Sequence, residues 1–185
     1  MIEQALRERW PKQIYDLHAA EISAKLKSRR DLLPELAADY YTMVSKVTEI
    51  KGSSKREKFV VERLAGDKTR VLVRKITKEG QLGKTLFDRT FDNKVTKELR
   101  LYGFEGNDVY DVRGDVKRGT RVRIIAGTDQ DSITDRSNVA GFRHYTHIYD
   151  ADSGNVIRPG KETRLRTEPG IDVSRYDVQD RKSVV

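Results

Sequence analysis

Three aspartates have the residue type and spacing to do inorganic chemistry: Asp108, Asp129 and Asp131, each in a short turn that also carries glycine (Gly103, Gly106, Gly127). Glycine lets the backbone turn with positive φ, and an aspartate just ahead of the next strand can offer oxygens to a hard cation such as calcium. The other reading is structural: the glycines serve turn geometry, and Asp108 and Asp131 accept hydrogen bonds from the turn backbone. Two turns supply fewer oxygens than the six to eight calcium prefers, so ordinary turns are the preferred reading and no cofactor is expected.

The segment from Leu101 to Tyr110 is similar to one turn of the glycine- and aspartate-rich calcium β-roll. The segment from Ile125 to Ile133 echoes it, with Ala126 and Asp129 where glycine would stand. Asp150, Asp152 and Asn155 open like a calcium loop, but Lys161 occupies its twelfth position, which leaves a hairpin turn. His144 and His147 are three apart, which on a strand turns them to opposite faces, and His18 falls in a helical stretch. GxSxG, HExxH and GxxxxGK[ST] are all absent, so a self-contained catalytic site is not expected.

The 185 residues carry 37 Lys and Arg against 29 Asp and Glu, a formal charge of +8, enough to attract nucleic acid or an anionic membrane surface. The basic runs at 25–30 and 51–56 are broken by nearby acids and lack interleaved aromatics. They read as solvated faces rather than a base-stacking platform, and nucleic acid is not the expected partner. With no cysteine, disulfides and thiolate chemistry are excluded. No stretch has the roughly 20 apolar residues of a membrane helix, and the charged start, Met1 to Arg9, has no apolar signal-peptide centre.

These residues must be positioned by three kinds of element. Up to Val47 the spacing is helical: Ala19, Ile22, Leu26 and Leu33 follow one face, and Leu36, Tyr40, Met43, Val44 and Val47 another. Pro34 separates the runs, predicting two packed helices after a short opening helix that ends at Trp10 and Pro11. From Glu57 the period becomes two, and runs at 59–64, 69–76 and 85–91 predict an antiparallel meander. Beyond Glu98 short strands end in Gly, Asp or Asn turns, predicting coiling or stacked turns. The stretch after Pro159 reads as a tail or linker.

The succession 25–34, 37–41, 87–91 and 96–103 with Gly106, Asn107 and Asp108, continuing through 122–127 to 160–164, resembles the middle of large Bacteroidetes envelope proteins. In that family a calcineurin-like metallophosphoesterase domain comes first and an outer-membrane surface-antigen barrel last. The resemblance implies a cell-envelope location and neighbouring domains of the same parent protein as partners. It implies contact with a membrane only through a barrel outside this chain. The phosphoesterase metal motifs (DxH, GDxxD, GNHE, GHxH) have no counterpart here, so none of that enzyme's residues is carried over.

The reading is therefore an α+β chain: helices over 1–50, a β-rich segment over 51–158 packed with them as one domain, and a tail over 159–185. N-terminal helices lead into an antiparallel meander, which a short β-roll-like or stacked-turn extension continues. The expected function is a non-catalytic structural or docking module; the alternative is a basic binding module for nucleic acid or anionic lipid.

Overall fold

The computed structural model describes residues 1–149 and 154–166. The chain is α+β and forms two compact units, Met1–Val44 and a second that begins at Ser45, so the first strand belongs with the sheets.

In the first unit, helix α1 (Ile2–Arg9) ends at Trp10, whose N–H reaches the Leu6 carbonyl, and α2 (Lys12–Ser45) follows directly after Pro11. The two are tied by an ion pair from Lys27 to Glu3, by Arg7 over the Tyr15 ring at 5.8 Å, and by buried Leu6, Ala19 and Ser23. The two helices expected on either side of Pro34 are one helix of 34 residues. Proline withholds one N–H from the ladder, but apolar phase is continuous across it: Ile22, Leu26, Leu33, Leu36, Tyr40 and Met43 alternate in steps of three, four and seven. The faces expected to be packed are largely open, with Leu33, Leu36, Tyr40 and Met43 each more than half exposed.

The second unit holds strands β1 (Val47–Lys51), β2 (Glu57–Leu64), β3 (Lys68–Ile76), β4 (Leu82–Asp92), β5 (Glu98–Tyr102), β6 (Val109–Arg113) and β7 (Asp115–Val116). They are followed by β8 (Arg121–Ile125), β9 (Ser132–Asp135), β10 (Asn138–Val139), β11 (Thr146–Tyr149), β12 (Val156–Arg158) and β13 (Thr163–Arg166). The expected antiparallel meander is confined to β2, β3 and β4; every other pairing is parallel. One sheet runs β1-β5-β8-β11-β13, a second β12-β9-β6-β2-β3-β4, and β7 pairs with β10. Successive strands of each sheet come from successive passes of the chain. The step is 23 residues between Asp108 and Asp131 and 24 between Asp131 and Asn155. β13 lies inside the stretch read as a tail, of which residues 167–185 lie outside the described residues.

Stacking in register forces like residues over like. The row Ile50, Leu101, Ile124 and Ile148 comes from the first sheet and the row Phe59, Tyr110 and Ile133 from the second; all are at most 2% exposed. The Phe59 and Tyr110 rings stack at 4.8 Å. Each such side chain contributes about 1.5–3 kcal/mol by leaving water, so apolar burial in the described residues is concentrated in this coil stack. One guanidinium pins the coils from inside: Arg63 donates to the Thr120 carbonyl at 2.7 Å, to Ser137 Oγ at 3.1 Å and to Thr146 Oγ1 at 3.2 Å.

Candidate functional site

At the entrance to the second sheet the coils present Glu57, Asp108, Asp131 and Asn155 at one register position. Asp108, Asp131 and Asn155 each accept a hydrogen bond from the backbone of the coil before, while Glu57 accepts from the Ser53 N–H at 3.0 Å. The Glu57 N–H donates to Asp108 Oδ1 at 2.7 Å, Asp108 N–H to Asp131 Oδ1 at 2.7 Å, and Asp131 N–H to Asn155 Oδ1 at 2.5 Å. Asp129, in the turn before β9, accepts the Gly106 N–H on Oδ2 at 2.7 Å. The three aspartates proposed for calcium thus lie in neighbouring turns, as the stacked-turn reading requires, but each commits an oxygen to the main chain. Burial pushes the Asp108 carboxyl up to about 9, against the pull of the Glu57 N–H and with Asp131, Glu57 and Asp129 adding to the rise. A carboxyl protonated at neutral pH offers a hard cation little, and among the described residues no three His, Asp or Glu side chains are arranged to hold a metal ion. Of the loop at 150–155 only Gly154 and Asn155 are described.

The glycines do the work the turn reading gives them. Gly127 has φ of +108°, and a Cβ there would collide with the Phe104 carbonyl; Gly106 has φ of +100° beside the Lys55 carbonyl. Gly103 leaves room for the Tyr110 hydroxyl and Asp108 Oδ2, two buried atoms without a hydrogen-bond partner.

The entrance to the first sheet is different. There the starts of β1, β5, β8 and β11 meet the β2–β3 turn, the turn after β4 and the loop at 142–144, and enclose a cleft of about 780 Å³. Seven Lys and Arg and two His line it against two carboxylates, Asp67 and Glu98. Glu98 is already claimed by Arg100 at 2.7 Å, Arg123 at 3.0 Å and Arg121 at 3.4 Å. Burial pushes its carboxyl up, but the Arg100 hydrogen bond and the charges of Arg123, Arg100 and Arg121 carry it below its ordinary value. Asp67 stands 4.0 Å from Arg118. Among the described residues Lys46, Lys94, Arg143 and Arg164 make no ion pair. Phe142, on the same wall, is fully exposed.

The basic runs at 25–30 and 51–56, read as solvated faces, lie outside this cleft. In the first run Lys25 pairs with Glu21 at 2.5 Å and Arg30 with Asp31 at 2.7 Å, while in the second Lys51 lies 3.4 Å from Glu49. The cationic cluster is assembled from residues far apart in the chain, and the signal for it was a basic residue recurring beside strand starts, at Lys46, Lys97 and Arg121. His144 and His147 both line the cleft, with His147 Nε2 3.2 Å from the His144 carbonyl. Burial lowers the His147 pKa, with Arg121, Arg123 and Arg166 in support, so it is neutral at neutral pH. Comparison with family models, with curated proteins and with solved structures gives no match to this chain.

Proposed function

We propose that this chain is a non-catalytic docking module: a stack of β coils joined to a long helix whose open apolar face receives a neighbouring domain of a larger protein, as the resemblance to envelope proteins implies. The observation that supports this is the C-terminal half of α2, where Leu32, Leu33, Leu36, Tyr40, Tyr41, Met43 and Val44 are 47–63% exposed on consecutive turns. A helix draws most of its stability from packing an apolar face, and α2 buries only Ala19 and Ser23 fully. So large an apolar strip on one helix marks a contact surface. Arg63, Ser137 and Asp135 bond one another and the coils from inside, which supports a structural reading of these buried polar groups.

Hydrogen exchange over residues 32–44, measured on this chain alone and on the same chain within its full reading frame, tests the proposal. Protection should rise by at least about tenfold in the longer protein, equivalent to about 1.4 kcal/mol. Equal exchange in the two, or metal-dependent phosphoester hydrolysis by this chain that a point mutation within it abolishes, would overturn the reading.

A further inference from the structure

The cleft at the entrance to the first sheet is a site of a different kind from the helix face. We infer that it binds a compact organic anion carrying two or more phosphate groups, with the organic part against Phe142.

Four features converge on this ligand. The volume, about 780 Å³, is that of a small-molecule site and not of a groove that tracks a polymer. The positive charge is unmatched: Lys46, Lys94, Arg143 and Arg164 have no ion pair among the described residues, and the one buried carboxylate, Glu98, is shared among three guanidinium groups. A single carboxylate or phosphate would leave most of that charge uncompensated, whereas adjacent phosphates concentrate three or four negative charges within reach of all of it. Finally, Phe142 exposes its whole ring beside the cations, a platform for a planar or sugar ring. The cations are held by independent elements, Lys46 ahead of β1, Lys94 in the turn after β4, Arg143 in the loop before β11 and Arg164 in β13. The site therefore exists only when the coils are stacked.

Titration calorimetry of the intact chain with tripolyphosphate and with ATP, without divalent metal, tests the inference. Both should bind at one saturable site and weaken at least about tenfold between roughly 50 and 200 mM salt. Lys94→Glu and Arg143→Glu should each weaken both ligands by about tenfold or more, while Lys78→Glu, outside the cleft, leaves both unchanged. Phe142→Ala should weaken ATP severalfold and spare tripolyphosphate. Circular dichroism melts of each variant, matching the parent, keep loss of binding separate from loss of fold. Absence of saturable binding at the lower salt overturns the site, as does an equal loss in Lys78→Glu. Binding of single-stranded RNA or of anionic vesicles more than about tenfold tighter than of either probe overturns the ligand class. An ATP affinity indifferent to Phe142→Ala overturns the placement of the organic part.

Discussion

The entrances to the two parallel sheets are built by the same device and end in opposite states. Where the chain enters the second sheet, Glu57, Asp108, Asp131 and Asn155 fall in one row, three of the four are almost fully buried, and Asp108, Asp131 and Asn155 each give an oxygen to the backbone of the preceding coil. Where it enters the first sheet, Lys46, Lys94, Arg143 and Arg164 line an open cleft and make no ion pair among the described residues. Stacking multiplies whatever the repeat supplies, so a polar residue in the turn becomes a row. A row that faces inward must find hydrogen bonds at once, because an unpaired buried polar group costs a few kcal/mol. A row that faces outward keeps its valence for something else. The acids of the second sheet are bound to the coils' own backbone, and Lys46, Lys94, Arg143 and Arg164 of the cleft, among the described residues, are not.

That contrast can be broken most sharply at the glycines beneath the acidic row. Gly127→Val forces a β-branched residue to φ of +108° against the Phe104 carbonyl, and should destabilise the chain by more than about 4 kcal/mol in urea denaturation. Gly141, at φ of +117° with open space around it, is the control, and Gly141→Ala should cost only about 1 kcal/mol.

An intermediate effect is expected at Asp108. Its folded pKa, about 9, lies above the ordinary value of 3.8, so the folded state binds the extra proton. The stability this group contributes is complete below pH 3.8 and declines as pH rises toward 9, by up to about 1.4 kcal/mol per unit. Asp108→Asn keeps an oxygen for the Glu57 N–H and has no proton to lose. Urea denaturation between about pH 5 and 8 should therefore show a flatter decline in the variant than in the parent. An unchanged slope would mean that Asp108 is ionised in the fold and would reopen the case for a cation. The smallest effect belongs to the cations of the cleft: Arg143→Ser and Lys94→Ser should each shift stability by less than about 0.5 kcal/mol, since neither side chain makes an ion pair among the described residues. A larger loss from either would make the two rows alike.

Much of the architecture was legible before any coordinates. The period-two runs gave β2, β3 and β4, and the Gly, Asp and Asn turns beyond Glu98 gave short strands in nearly the right places. What alternation could not tell was direction, because a strand in a parallel stack and one in a hairpin bury the same alternate residues; only the return of Asp108 as Asp131 hinted at the repeat. Helical periodicity likewise locates an apolar face without saying what covers it, and Leu36 and Tyr40, on the face expected to be packed, stand in the open. Arg63 escaped notice because a buried guanidinium is recognisable only once Thr120, Ser137 and Thr146 have come together around it. The basic cleft escaped for the same reason, its charges being neighbours in space alone.

The first coil is the long one. Glu57 and Asp108 are adjacent in the stack yet 51 residues apart in the chain, against 23 or 24 for the coils that follow, because the β3–β4 hairpin is looped out between them. Closing a loop of twice the length costs only about 0.6 kcal/mol more, so the equilibrium scarcely registers the detour. In time it is another matter: a hairpin forms within about 1–10 μs from residues close in sequence, whereas β1 must find β5 across the whole of that intervening chain. The spacing thus makes β2 to β4 the local part of the stack and β1–β5 its longest-range pairing.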